Sequence, residues 1–121
     1  MPTDQLISLQ AGIDMTTLYR QEKENILATD YKDQNILPIS ETFDRDAVDA
    51  VMQQEGCVAL RIYYGMTEDF LVHAILVGVN ADNEDILPST SNLTSSTDGD
   101  ILAEQGIRCP PDCAPASPLN E

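Results

Sequence analysis

Positive charge is scarce in this chain. Six lysines and arginines face 21 aspartates and glutamates, for a formal charge of −15. Lys23, Lys32, Arg20, Arg45, Arg61 and Arg108 are scattered and form no stripe. A phosphate backbone or an anionic bilayer therefore finds no electrostatic footprint. The composition argues against nucleic-acid and membrane partners, and a basic protein is the partner its charge would suit. Tryptophan is absent, and aromatics make up only 5% of the residues. His73 is the single histidine, so no HExxH pattern exists and no triad is recognisable. No apolar run approaches the roughly 18 residues of a membrane-spanning helix. No basic start followed by an apolar core marks a secretory leader, so the expectation is a cytoplasmic protein with reduced thiols. Glycine-rich phosphate loops and serine nucleophile elbows are also missing, and no cofactor is expected.

What remains is a chain of 121 residues, 42% hydrophobic, which suffices for one modest core. Asp14 can cap a helix beginning at Met15, with Ile13 and Leu18 in staple positions. Ser8 is a competing start, but it would place Gly12 inside the helix. A second helix follows Asp44, flanked by Phe43 and Val48 and carrying the stripe Ala47, Val48, Val51 and Met52. Gly56 offers a left-handed stop.

Residues 57–64 and 70–79 are rich in strand formers and are separated by the polar turn Gly65–Asp69. That pattern predicts a β-hairpin. Val58, Leu60, Ile62 and Tyr64 share one face of its first strand, and Ala59, Arg61 and Tyr63 the other. The second strand is apolar on both faces and needs cover on both. Residues 89–100 are dominated by Ser, Thr and Asp, and the end of the chain is rich in proline. The expected fold is α+β: two N-terminal helices packed on a small antiparallel sheet built around the 57–79 hairpin. Residues 1–88 would form the domain, and 89–121 an irregular tail open to proteolysis near Ser95–Gly99.

Few residues could carry chemistry. His73 lies mid-strand, where a hydrogen-bonded structural role is favoured over catalysis. Arg61 could hold an anion, although an ion pair with a carboxylate is the more ordinary fate. Cys109 and Cys113 are separated by three residues, two of them prolines; the spacing permits half of a metal site, a small disulfide, or neither. Asn80, Asp82 and Glu84 alternate as in a calcium loop, but Asp85 and Ser91 stand where glycine and glutamate are required.

The hairpin reading Arg61-Ile62-Tyr63-Tyr64-Gly65 and Leu76-Val77-Gly78-Val79-Asn80, with a closing Cys109-Pro110-Pro111-Asp112-Cys113, resembles a group of small uncharacterised bacterial proteins over residues 43–113. The resemblance implies a single bacterial domain. It implies no activity and carries no functional residue over. The expected function is a non-enzymatic, acidic interaction module that self-associates as a homodimer through Leu71, Ile75, Val77 and Val79. The alternative is a small-ligand or metal-binding protein using Arg61, His73, Cys109 and Cys113.

Overall fold

Ser8, not Asp14, starts the first helix. In a computed structural model, which describes residues 5–87, 102–103 and 106–121, helix α1 spans Leu9–Glu22. The Ser8 hydroxyl accepts a hydrogen bond from the Ala11 N–H at 3.0 Å. Asp14 instead accepts from the Gln10 amide on the preceding turn, at 2.9 Å. Starting at Ser8 adds Leu9–Asp14 to the helix. The backbone bonds gained outweigh the roughly 0.5–1 kcal/mol that a helical glycine costs.

A single 3-10 turn at Thr29–Tyr31 follows. Strand β1 is Ser40–Thr42, helix α2 Arg45–Met52, strand β2 Ala59–Met66 and strand β3 Val72–Val79. Two short strands close the chain, β4 at Leu102–Ala103 and β5 at Ile107–Cys109. The strands form two small sheets rather than the single one expected: β1 with β5, and β2–β3–β4 in that order. The β3–β4 pair is antiparallel, with Leu76 opposite Ala103 and Val77 opposite Leu102. The helices are not both N-terminal to the sheets, because β1 intervenes before α2. The C-terminal segment is not wholly irregular either, since it supplies β4 and β5. The boundary expected at residue 88, and the Ser95–Gly99 stretch, lie outside the described residues.

The chain divides into two interleaved compact units. The first holds Thr42–Gly65 and His73–Ile107. Its core is Val51, Leu76 and Ala103, with Phe43, Ala47 and Val48 packed against it. Phe43 and the α2 residues Ala47, Val48 and Val51 are thus used as the spacing predicts, whereas Met52 is 37% exposed and the Asp44 side chain makes no capping hydrogen bond. The Asp44 carbonyl accepts from the N–H groups of Ala47 and Val48, each at 3.1 Å. Gly56 takes φ +81°, the left-handed conformation expected of it, beyond the helix end.

The second unit holds Pro2–Glu41, Met66–Val72 and Arg108–Glu121. Arg108 ties its three segments together. Only 8% of this residue is exposed. Its Nε donates to the Val72 carbonyl at 3.1 Å, and Nη2 donates to the carbonyls of Asn35 at 2.8 Å and Ile36 at 3.0 Å. The Ile39 N–H donates to the Cys109 carbonyl at 2.7 Å. Helix α1, also in this unit, buries none of its residues.

The interface expected on β3 is corrected by burial. Val77 and Val79 are 2% and 1% exposed within a single chain, and Leu71 and Ile75 are half-buried. Strand β3 lies between β2 and β4, and α2 packs on its Leu76 face through Val51, beside Ala103. Among the described residues, no helix is long and apolar enough to cross a membrane.

Candidate functional site

The acidic turn after β3 is built by one side chain. The Asn80 Oδ1 accepts from the N–H groups of Asp82 at 2.9 Å and Glu84 at 3.0 Å, and Asn83 adopts φ +66°. This is the hydrogen-bonding habit that suits asparagine to turns. The Ile86 N–H then returns to the Gly78 carbonyl at 2.8 Å. That path brings Asn83 and Asp85 to Arg61 and Tyr63, which share one face of β2 by strand alternation.

Arg61 Nη1 donates to Asp85 Oδ1 at 2.5 Å, and Nη2 donates to Asn83 Oδ1 at 2.5 Å. The Tyr63 hydroxyl donates to Asp85 Oδ2 at 2.5 Å. Both carboxylate oxygens are therefore occupied. The Tyr63 hydrogen bond, then Arg61, holds the Asp85 carboxyl below the usual aspartate value. The same bond to Asp85 raises Tyr63, and the Asp85 bond raises Arg61. A carboxylate so depressed is a poor general base at neutral pH. Arg61 takes the ordinary fate expected of it, an ion pair, and its guanidinium is engaged rather than open to an anion. Tyr63, Asn83 and Asp85 escape the sequence reading. Strand alternation groups Tyr63 with Arg61, but no local signal says which acid of the turn comes back to meet them.

His73 lies half-buried in β3, and none of the Arg61 hydrogen bonds above involves it. Cys109 and Cys113 are joined as a disulfide with their Cα atoms 4.6 Å apart, in place of the reduced thiols expected. The loop favours this pairing. Pro110 and Pro111 limit its freedom, and the Asp112 N–H donates to the Arg108 carbonyl at 3.0 Å. In the disulfide neither sulfur is a thiolate, the form that ligates metal. Cys57 is free and half-buried, its Sγ 3.3 Å from the Ala59 carbonyl. Among the described residues, no three His, Cys, Asp or Glu side chains gather as metal ligands would.

The more distinctive surface is apolar. Among the described residues, strand β2 stands at the edge of its sheet. Val58 just before it, and Leu60, Ile62 and Tyr64 along one of its faces, are exposed, Tyr64 by 78%. Helix α1 likewise exposes Met15 and Leu18 by 66% and 61%. No protein-family model, curated protein or solved structure matches the chain.

Proposed function

We propose that the protein is a non-enzymatic interaction module that pairs with a second copy of itself along β2. The observation that supports this is the exposed apolar row Val58, Leu60, Ile62 and Tyr64 on an edge strand. An edge presents unpaired backbone donors and acceptors, and natural edges are normally blunted by charge, proline or a bulge. Here the strand has no proline and no acid. Residues 56–67 lack aspartate and glutamate altogether, so two strongly acidic chains can approach along this segment with little local repulsion. The single charge on it, Arg61, is turned aside to Asp85 at 2.5 Å. Two β2 strands related by a two-fold axis are self-complementary. The proposed surface replaces the β3 face, where Val77 and Val79 are buried within one chain.

Sedimentation at several salt concentrations tests the proposal. The dimer should weaken as ionic strength falls, because the remaining acids then repel over a longer Debye length. Ile62→Asp should give a monomer of nearly unchanged thermal stability, since that side chain is 49% exposed. A wild-type chain that stays monomeric at high micromolar concentration and moderate salt would overturn the proposal.

A further inference from the structure

The second unit carries an apolar hollow that shares with β2 only Met66, the strand's last residue. It encloses about 290 Å³ and is lined by Leu27, Tyr31, Ile36, Met66 and Phe70. Ile36 forms its buried floor, 4% exposed. That floor is held firmly: the Ile36 carbonyl accepts from the Val72 N–H at 2.9 Å and from Arg108 at 3.0 Å. Tyr31 and Phe70 meet edge to face, with ring centroids 5.8 Å apart and planes at 86°. Yet Tyr31, Met66 and Phe70 remain 43%, 60% and 49% exposed. Large apolar side chains held in place around a hollow, and left open to water, mark a contact surface.

Phe70 is held there against its own preference. Its φ is +68°, a region that bulky residues rarely enter. The turn imposes it: the Phe70 N–H donates to the Thr67 carbonyl at 2.9 Å, and the Thr67 N–H to the Leu71 carbonyl at 3.0 Å. The Thr67 hydroxyl also accepts from the Leu71 N–H, at 3.2 Å. A glycine would suit this backbone better, so the ring is retained at a conformational cost.

The surrounding charge points to the occupant. Asp30 adjoins Tyr31, Glu68 and Asp69 precede Phe70, and Asp33 lies two residues beyond Tyr31; Lys32 is the one basic residue among them. Asp30, Asp33, Glu68 and Asp69 are exposed and take part in none of the ion pairs among the described residues. The volume falls just below the about 300–1,000 Å³ typical of clefts that enclose whole small ligands, so a large side chain suits it better than a cofactor. A second copy of this chain, at −15, has the wrong charge.

We infer that this hollow docks a basic segment of a partner protein, with one large apolar side chain seated between Tyr31, Met66 and Phe70 and flanking lysines or arginines facing the acids. The ring contacts anchor the segment, while the acids set its charge preference and salt dependence.

The test is a titration of the full chain with three synthetic pentapeptides, followed by amide and methyl NMR shifts. The first places phenylalanine between paired lysines, the second replaces that phenylalanine with alanine, and the third replaces the lysines with glutamates. The first should shift Leu27, Tyr31, Ile36, Met66 and Phe70 signals and bind at least tenfold more tightly than either control. Raising the salt from 0.05 to 0.5 M should weaken it severalfold. Phe70→Gly removes the ring while fitting the left-handed backbone, and should lose at least tenfold in affinity with the fold intact. Glu68→Gln with Asp69→Asn should flatten the salt dependence. Ile62→Asp should bind the first peptide as the wild type does, which separates this site from self-association. Equal binding of the glutamate peptide, or unchanged binding by Phe70→Gly, overturns the inference. So does an absence of shifts at millimolar peptide.

Discussion

Arg61 and Asp85 stand 24 positions apart in the chain and meet at 2.5 Å, on the carboxylate that Tyr63 also holds. The arrangement makes stability depend on pH at both ends. The folded Asp85 value lies below its unfolded one. Its contribution is therefore whole above the ordinary aspartate range and is lost as pH falls through the folded value. The Tyr63 value is raised, so its contribution is whole below the ordinary tyrosine range and is lost as pH climbs through the raised value. Urea unfolding across pH should show a shallower acid limb for Asp85→Asn. In Tyr63→Phe, the Asp85 carboxyl should titrate nearer its ordinary value by NMR. An acid limb in Asp85→Asn as steep as in the wild type would contradict this account.

Gly78 in β3 leaves little room for a side chain. An added Cβ would sit 3.0 Å from Cys57 Sγ and 3.3 Å from the Val51 carbonyl oxygen. Gly78→Ala should cost about 1–3 kcal/mol through overpacking. Cys57→Ala in the same chain removes the closer of the two obstacles but leaves the backbone one. Chemical denaturation of the two single variants and the double should therefore show positive coupling, with only part of the loss restored. Strict additivity would mean that Cys57 is not the neighbour that matters.

These residues also mark what a sequence can disclose. The hairpin was legible because Val58, Leu60, Ile62 and Tyr64 alternate with Ala59, Arg61 and Tyr63, and exposure follows that alternation except at Tyr63, which is 44% exposed. Helix α2 was legible because Asp44, Phe43 and Val48 form a local pattern. The start of α1 was not, because Ser8 and Asp14 are both competent caps and local propensity does not choose between them. Phe70 reads as a strand former, but the Thr67 turn places it at φ +68°, where its ring helps form the hollow. Strand β4, which pairs with Leu76 and Val77, is a strand of two residues, too short to be seen in a pattern. The disulfide was one of three outcomes permitted by the spacing, and the expectation of reduced thiols chose another. The Arg108 anchor joins segments some seventy residues apart, and nothing local encodes that.

Gln54 follows α2 with its side-chain amide out of contact with water. Its Nε2 and Oε1 atoms are both buried, and neither has a hydrogen-bond partner among the described residues. Leaving such a group unsatisfied costs about 1–3 kcal/mol, and an apolar replacement of similar shape removes that cost. Gln54→Met should therefore raise the urea midpoint without changing the slope of the transition. A fall in the midpoint would show that the amide is satisfied in solution.

Arg108 makes the sharpest case for a single side chain organising its unit. Its planar guanidinium reaches the carbonyls of Val72, Asn35 and Ile36 at once, at 2.8–3.1 Å. An ammonium is a compact point charge and cannot reproduce that fork. Arg108→Lys keeps the charge and most of the stem, yet it should leave at least one buried carbonyl without its donor. The expected loss is about 1–3 kcal/mol by urea denaturation. Arg108→Met removes every donor and should lose more. The Val72 amide, bonded to the Ile36 carbonyl at 2.9 Å, should exchange its hydrogen faster in both variants, in the same order. A lysine variant as stable as the wild type would show that charge alone, and not the geometry of the fork, holds these segments together.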